Sequence, residues 1–164
     1  MFIRLVLLIV VVLGILLLMA GQFGLLRGKE PSNIGVTDGR LQAPSKTENS
    51  VSSQAALHAN HPMQTYAAIA PLAYTGDAAA AWARLERAVA TLPRTSIITN
   101  SATSSGRYLY AQCTTLLLRF TDDVEFLQDD VNKVIHVRSS SRVGRKDFGV
   151  NRARVEAIRK AFSA

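Results

Sequence analysis

Residues 122–154 read DDVEFLQDDVNKVIHVRSSSRVGRKDFGVNRAR. The order of charge in this stretch governs both the fold and the search for a site. Five carboxylates come first, Asp122, Asp123, Glu125, Asp129 and Asp130. A basic and hydroxyl block follows: Arg138, Ser139, Ser140, Ser141, Arg142, Arg145, Lys146, Arg152 and Arg154. Val124–Leu127 and Val134–Arg138, the latter running on to Arg142, read as strands around a turn at Asp129–Asp130 and Asn132. Antiparallel neighbours bring opposite charges face to face. Such a block makes either an internal ion-pair network or an anion-binding surface.

Upstream, Tyr108 to Phe120 is a long strand candidate rich in aromatic and branched residues, and Asp122–Asp123 reads as the tight turn after it. Thr95–Ile98 is a shorter strand, and Ser104–Gly106 is a turn. Asp77 to Leu92 reads as a helix. Asp77 is a suitable N-cap, Trp82, Leu85, Val89 and Leu92 form one apolar face, and Pro93 ends it. Downstream, Gly144–Gly149 is a loop. The last helix starts at Asn151 as its N-cap and buries Val155, Ile158 and Phe162. Helix, strand run and helix in that order predict an α+β fold: an antiparallel sheet with helices packed on one face.

Leu5 to Leu26 is almost wholly apolar. Its ~22 residues reach ~33 Å, enough to cross the ~30 Å hydrocarbon core of a bilayer. A small-x-small cleavage site is poor, because Leu18 and Met19 occupy the critical positions. The expectation is one retained N-terminal transmembrane helix. Arg4 on one side and Arg27 and Lys29 on the other nearly balance, so the signal-anchor form decides the orientation. It predicts a single-pass inner-membrane protein with an extracytoplasmic, periplasmic domain. The chain then divides into a signal-anchor (1–26), an irregular tether and docking segment (27–65) and an α+β domain (66–164).

The formal net charge is +7. Arg138–Lys160 carries eight Lys/Arg against two acids, a local +6, and Arg119–Lys133 carries five acids against two bases, a local −3. Basic charge behind an anchor points to an anionic ligand or lipid headgroup as partner. Nucleic acid is not expected, since there is no aromatic stacking series. The single cysteine, Cys113, lies in an apolar run and reads as a small buried hydrophobe.

Five motifs, GVTDGRL (35–41), VSSQ (51–54), FTDDVEF (120–126), IHVRSSSRVG (135–144) and DFGVNRARVEAIR (147–159), resemble the bacterial and chloroplast family called domain of unknown function 1499. The resemblance implies membrane or envelope association and assigns no chemistry. It also implies a pair of cysteines before VSSQ in many members. The equivalent positions here, Pro44 and Ser50, carry none, which fits loss of a disulfide as a pair.

Two constellations follow from the residues. Arg138, Ser139, Ser141 and Arg142, with the helix start at Asn151 and Arg152, form a candidate ligand-binding site for phosphate, sulfate or carboxylate. Asp122, Asp123, Glu125 and Asp147 form a candidate structural ion-pair network with those arginines. No metal site or cofactor is expected: His58, His61 and His136 lack a completing ligand spacing. Ser139 or Ser141 with His136 lacks a nucleophile-elbow pattern. The leading reading is a membrane-anchored envelope protein acting as a non-enzymatic binding or structural module. The alternative is a hydrolase or metal-dependent enzyme using Asp122, Asp123, Glu125 and Arg138.

Overall fold

Branched and aromatic residues drive residues 95–141 into four long strands. In the computed structural model, which describes residues 1–163, these are β5 (Thr95–Thr103), β6 (Gly106–Thr114), β7 (Thr121–Asp129) and β8 (Val134–Ser141). Before them come α1 (Phe2–Gln22), β1 (Val36–Thr37), β2 (Arg40–Leu41), β3 (Ser50–Ser52), α2 (Gln64–Ala67), β4 (Leu72–Ala73) and α3 (Ala78–Ala90); α4 (Val150–Phe162) closes the chain. The main sheet is antiparallel in the order β3-β8-β7-β6-β5, with β4 also paired to β8. The fold is α+β, and α1 is long and apolar enough to cross a membrane.

Strand alternation splits the sheet into two buried faces. One packs Val124, Phe126, Ile135 and Val137 against Trp82, Leu85 and Val89 of α3 and Val155, Ile158 and Phe162 of α4. Burying each such aliphatic side chain contributes about 1.5–3 kcal/mol. The other face packs Tyr108, Tyr110 and Leu127 against Leu41, Ile34 and Val36. Within residues 34–54, the stretch 34–43 covers the second face, and β3 becomes an edge strand of the sheet. Ser50 Oγ accepts from the Ser45 N–H at 2.7 Å, which closes the loop before VSSQ without a disulfide.

Three local expectations are corrected. The strand expected over Tyr108–Phe120 stops at Thr114, and residues 115–120 make the turn. There the Thr115 N–H donates to the Phe120 carbonyl at 2.9 Å, and the Thr115 hydroxyl accepts from the Phe120 N–H at 3.0 Å. Asp122 and Asp123 are thus strand residues rather than a turn, because buried cations are available to both. Thr95–Ile98 extends to Thr103. Finally, Asn151 lies inside α4 rather than capping it. Gly149, at φ +83°, is the N-cap, and Asp147 supplies the acceptors for the helix start. Asp77 keeps its expected place as the N-cap of α3, accepting from the Ala80 N–H at 2.7 Å.

Candidate functional site

The pairing of β7 with β8 sets Glu125 opposite Arg138 and Asp123 opposite Ser140, two residues before Arg142 on the same face. On the face covered by residues 34–54, Arg138 Nη1 donates to Glu125 Oε2 at 2.7 Å. Glu125 is fully buried. Its other oxygen accepts from the Tyr108 hydroxyl and the Gly35 N–H, both at 2.8 Å. Arg138 Nε donates to the Ala43 carbonyl at 3.2 Å. Arg142 grips Asp123 bidentately, with Nε to Oδ2 at 2.9 Å and Nη2 to Oδ1 at 2.7 Å. The Tyr110 hydroxyl donates to Asp123 Oδ1 at 2.7 Å and accepts from Gln112 Nε2 and Arg142 Nη2.

Burial and the adjacent carboxylates push both phenols up, Tyr110 to about 12 and Tyr108 further still. Both hydroxyls stay protonated donors at neutral pH. Each tyrosine reaches diagonally across the β6–β7 pair to a carboxylate, which strand geometry permits for long side chains.

On the helix face, Asp122 pairs with Arg154 of α4. Arg154 Nη1 donates to Asn151 Oδ1 at 2.6 Å, as does Ser139 Oγ. Asn151 Nδ2 donates to Ser141 Oγ at 2.9 Å, the Asn49 carbonyl at 3.0 Å and Asp147 Oδ2 at 2.8 Å. Asp147 also accepts from the backbone N–H groups of Gly149 and Asn151 and from the Tyr66 hydroxyl. Burial raises its carboxyl, but the donors from Asn151, Gly149 and Tyr66 outweigh this and leave it below the usual carboxylate value.

The sheet therefore divides the six residues of the candidate ligand site. Arg138 and Arg142 lie on one face; Ser139, Ser141 and Asn151 lie on the other. Arg152 projects elsewhere and donates to the carbonyls of Ala68 and Tyr66. Asp122, Asp123 and Glu125 each hold one arginine, whereas Asp147 pairs with none and organises the start of α4. Arg154, Tyr108, Tyr110 and Asn49 belong to the same polar system and were missed in the sequence. The tyrosines were findable: they alternate along β6 in step with Asp123 and Glu125 once the turn is placed at residues 115–120.

His136 shares the Arg138 face, so it cannot meet Ser139 or Ser141. Instead its Nδ1 lies 3.4 Å from Ser53 Oγ and its Nε2 lies 3.7 Å from Asp129 Oδ2. Burial lowers its pKa, against the pull of Asp129, and favours the neutral ring. Cys113 is buried, and burial pushes its thiol up. Among the described residues no group of three or more His, Cys, Asp or Glu is placed to hold a metal ion.

The family model for DUF1499, a protein of unknown function, matches residues 40–162. The chain belongs to the DUF1499 family. The match begins within the docking segment and ends in α4, so it takes in both sides of the buried polar network. No curated protein and no solved structure matches the chain.

Proposed function

We propose that this DUF1499 member is a single-pass, membrane-anchored envelope protein whose α+β domain is a binding or structural module rather than an enzyme. The observation that carries the reading is the engagement of the acidic cluster. Asp122, Asp123 and Glu125 each accept from an arginine, and Asp123 and Glu125 also accept from a tyrosine. A general base or a metal ligand needs a free lone pair facing a cleft. These carboxylates face fixed donors instead. Arg138 and Arg142, expected to clamp an anion, are neutralised by the same pairs. An anionic partner is then better served by cations outside the network.

Three measurements test the reading. Alkaline extraction should leave the full chain in the membrane pellet, and N-terminal sequencing should start at residue 1 or 2. A start near residue 21–25 overturns the anchor. A C-terminal phosphatase fusion should be active if the domain is extracytoplasmic, and a stable but inactive fusion reverses the orientation.

One observation favours a second reading, a hydrolase built on Ser53, His136 and Asp129. Its separations are longer than a working nucleophile–base pair requires, about 2.6–3.2 Å. Ester turnover by the purified chain, abolished in Ser53→Ala with the fold intact, would establish it over the binding module.

A further inference from the structure

The end of the sheet next to α1 carries a surface that the polar network does not use. The β6–β7 turn, residues 115–120, abuts the last turn of α1. A Cβ added at Gly21 would lie 2.7 Å from the Leu118 carbonyl oxygen, so only glycine permits this approach. Gln22 Nε2 donates to the Leu117 carbonyl at 3.2 Å. The 21 residues of α1 reach about 32 Å, close to the thickness of the hydrocarbon core. The turn is therefore held at the depth where the bilayer gives way to headgroups.

Its side chains suit that depth. Leu116 and Leu117 are 63% and 64% exposed, with no protein surface covering them. Beside them a cleft of about 340 Å³ is lined by Arg27, Arg94 and Arg119, together with Thr95, Ser96 and Gln112. None of the three arginines makes an ion pair among the described residues. Arg94 donates once, to the Thr114 carbonyl at 3.1 Å, and keeps its remaining N–H groups. Guanidinium forks and hydroxyls together are the chemistry that binds phosphate oxygens. Aliphatic tips beside basic groups are the pattern of a segment lying in a membrane interface.

We infer that this end of the domain docks on the bilayer that α1 crosses, with Leu116 and Leu117 in the acyl–headgroup boundary and an anionic phospholipid phosphate held by Arg27, Arg94 and Arg119. The inference rests on α1 being a retained span. It does not depend on which side of the membrane the domain occupies.

The first test uses the full chain in detergent micelles, with intact mass confirming that α1 is present; this separates failure here from failure of the anchor. Retention of phosphatidylglycerol and phosphatidylcholine is compared by native mass spectrometry. The wild type should prefer phosphatidylglycerol. The triple variant Arg27→Gln, Arg94→Gln, Arg119→Gln should lose that preference at about fivefold per arginine, on the order of 100-fold in all, with an unchanged melting temperature. Equal retention of the two lipids, or an unaltered triple variant, overturns the proposal. Displacement of phosphatidylglycerol by millimolar inorganic phosphate would assign the cleft to a free anion and overturn the lipid.

The second test reads depth. In a Cys113→Ser background, an environment-sensitive fluorophore is attached through Leu117→Cys or Val131→Cys, and the chain is placed in phosphatidylglycerol-containing nanodiscs. Val131 is 91% exposed in the turn at the other end of β7, about 27 Å away along a nine-residue strand. Lipid-borne nitroxide should quench the label at position 117 severalfold more than at 131. Equal quenching at both positions overturns the docking.

Discussion

Arg138, Arg142 and Arg154 sit within the sheet and its helix layer, each against a buried carboxylate. Arg27, Arg94 and Arg119 line a cleft at the α1 end and have no carboxylate partner among the described residues. The two sets have the same chemistry and different surroundings. In the first, desolvation makes pairing obligatory, since an uncompensated buried ion is far costlier than its pair. In the second, water solvates the cation and no partner is needed. Charge in the sequence thus reports a structural role where it is buried and an available surface where it is not.

That contrast is most exposed to change at Glu125. Glu125→Ala leaves Arg138 without its counter-charge and Arg138 Nη1, the Tyr108 hydroxyl and the Gly35 N–H without an acceptor in a closed interior. Thermal or denaturant unfolding of the full chain should show a loss of about 3–5 kcal/mol. The double change Glu125→Leu with Arg138→Met should cost less than the sum of its parts, because it removes both charges. An additive result would mean the pair is not coupled and would break the comparison.

Asn151→Ala tests the neutral hub of the same region. It removes the acceptor of the buried Ser139 hydroxyl and of one Arg154 N–H, and the amide that donates to Asp147, and denaturant unfolding should show a loss of about 2–3 kcal/mol.

Asp147 gives a pH signature. Its folded pKa lies below its ordinary value of 3.8, so its contribution is fully present above that pH and is lost as pH falls through the folded value. Asp147→Asn should cost about 1 kcal/mol at pH 7, the worth of a helix cap. The gap between wild type and variant in denaturant midpoint should close below pH 3.8. A gap that widens on acidification would reverse the sign.

The smallest effect belongs to the cleft. Arg119→Ala should change unfolding free energy by less than about 0.5 kcal/mol. A loss as large as that at Glu125 would show that Arg119 carries hidden structure and would erase the distinction between the two sets.

Some of this was legible in the residues. Apolar spacing placed α3 and the buried stripe of α4, because a 3.6-residue period is local. The unbroken run at the amino end marked α1, because length and composition suffice. The opposite charges of 122–125 and 138–154 announced contact between them. The turn was misplaced at Asp122–Asp123 because aspartate is a good turn residue in isolation, and no local signal shows that Arg142 and Arg154 wait on opposite faces. The candidate ligand site failed to assemble for a related reason. Arg138 and Ser139 are adjacent in sequence, yet successive strand residues point to opposite sides of a sheet.

The sequence by itself determined the helices, the membrane-length segment, the strand-rich middle and the presence of balancing charge, since each is written in periodicity or composition. Only the tertiary structure decided which carboxylate meets which arginine, that residues 34–54 roof the tyrosine face, and that three arginines separated by up to 92 positions in the chain share one cleft. Those outcomes depend on strand register and on contacts between distant segments, and a one-residue shift in register would send Asp123, Glu125 and Arg138 to the other face of the sheet.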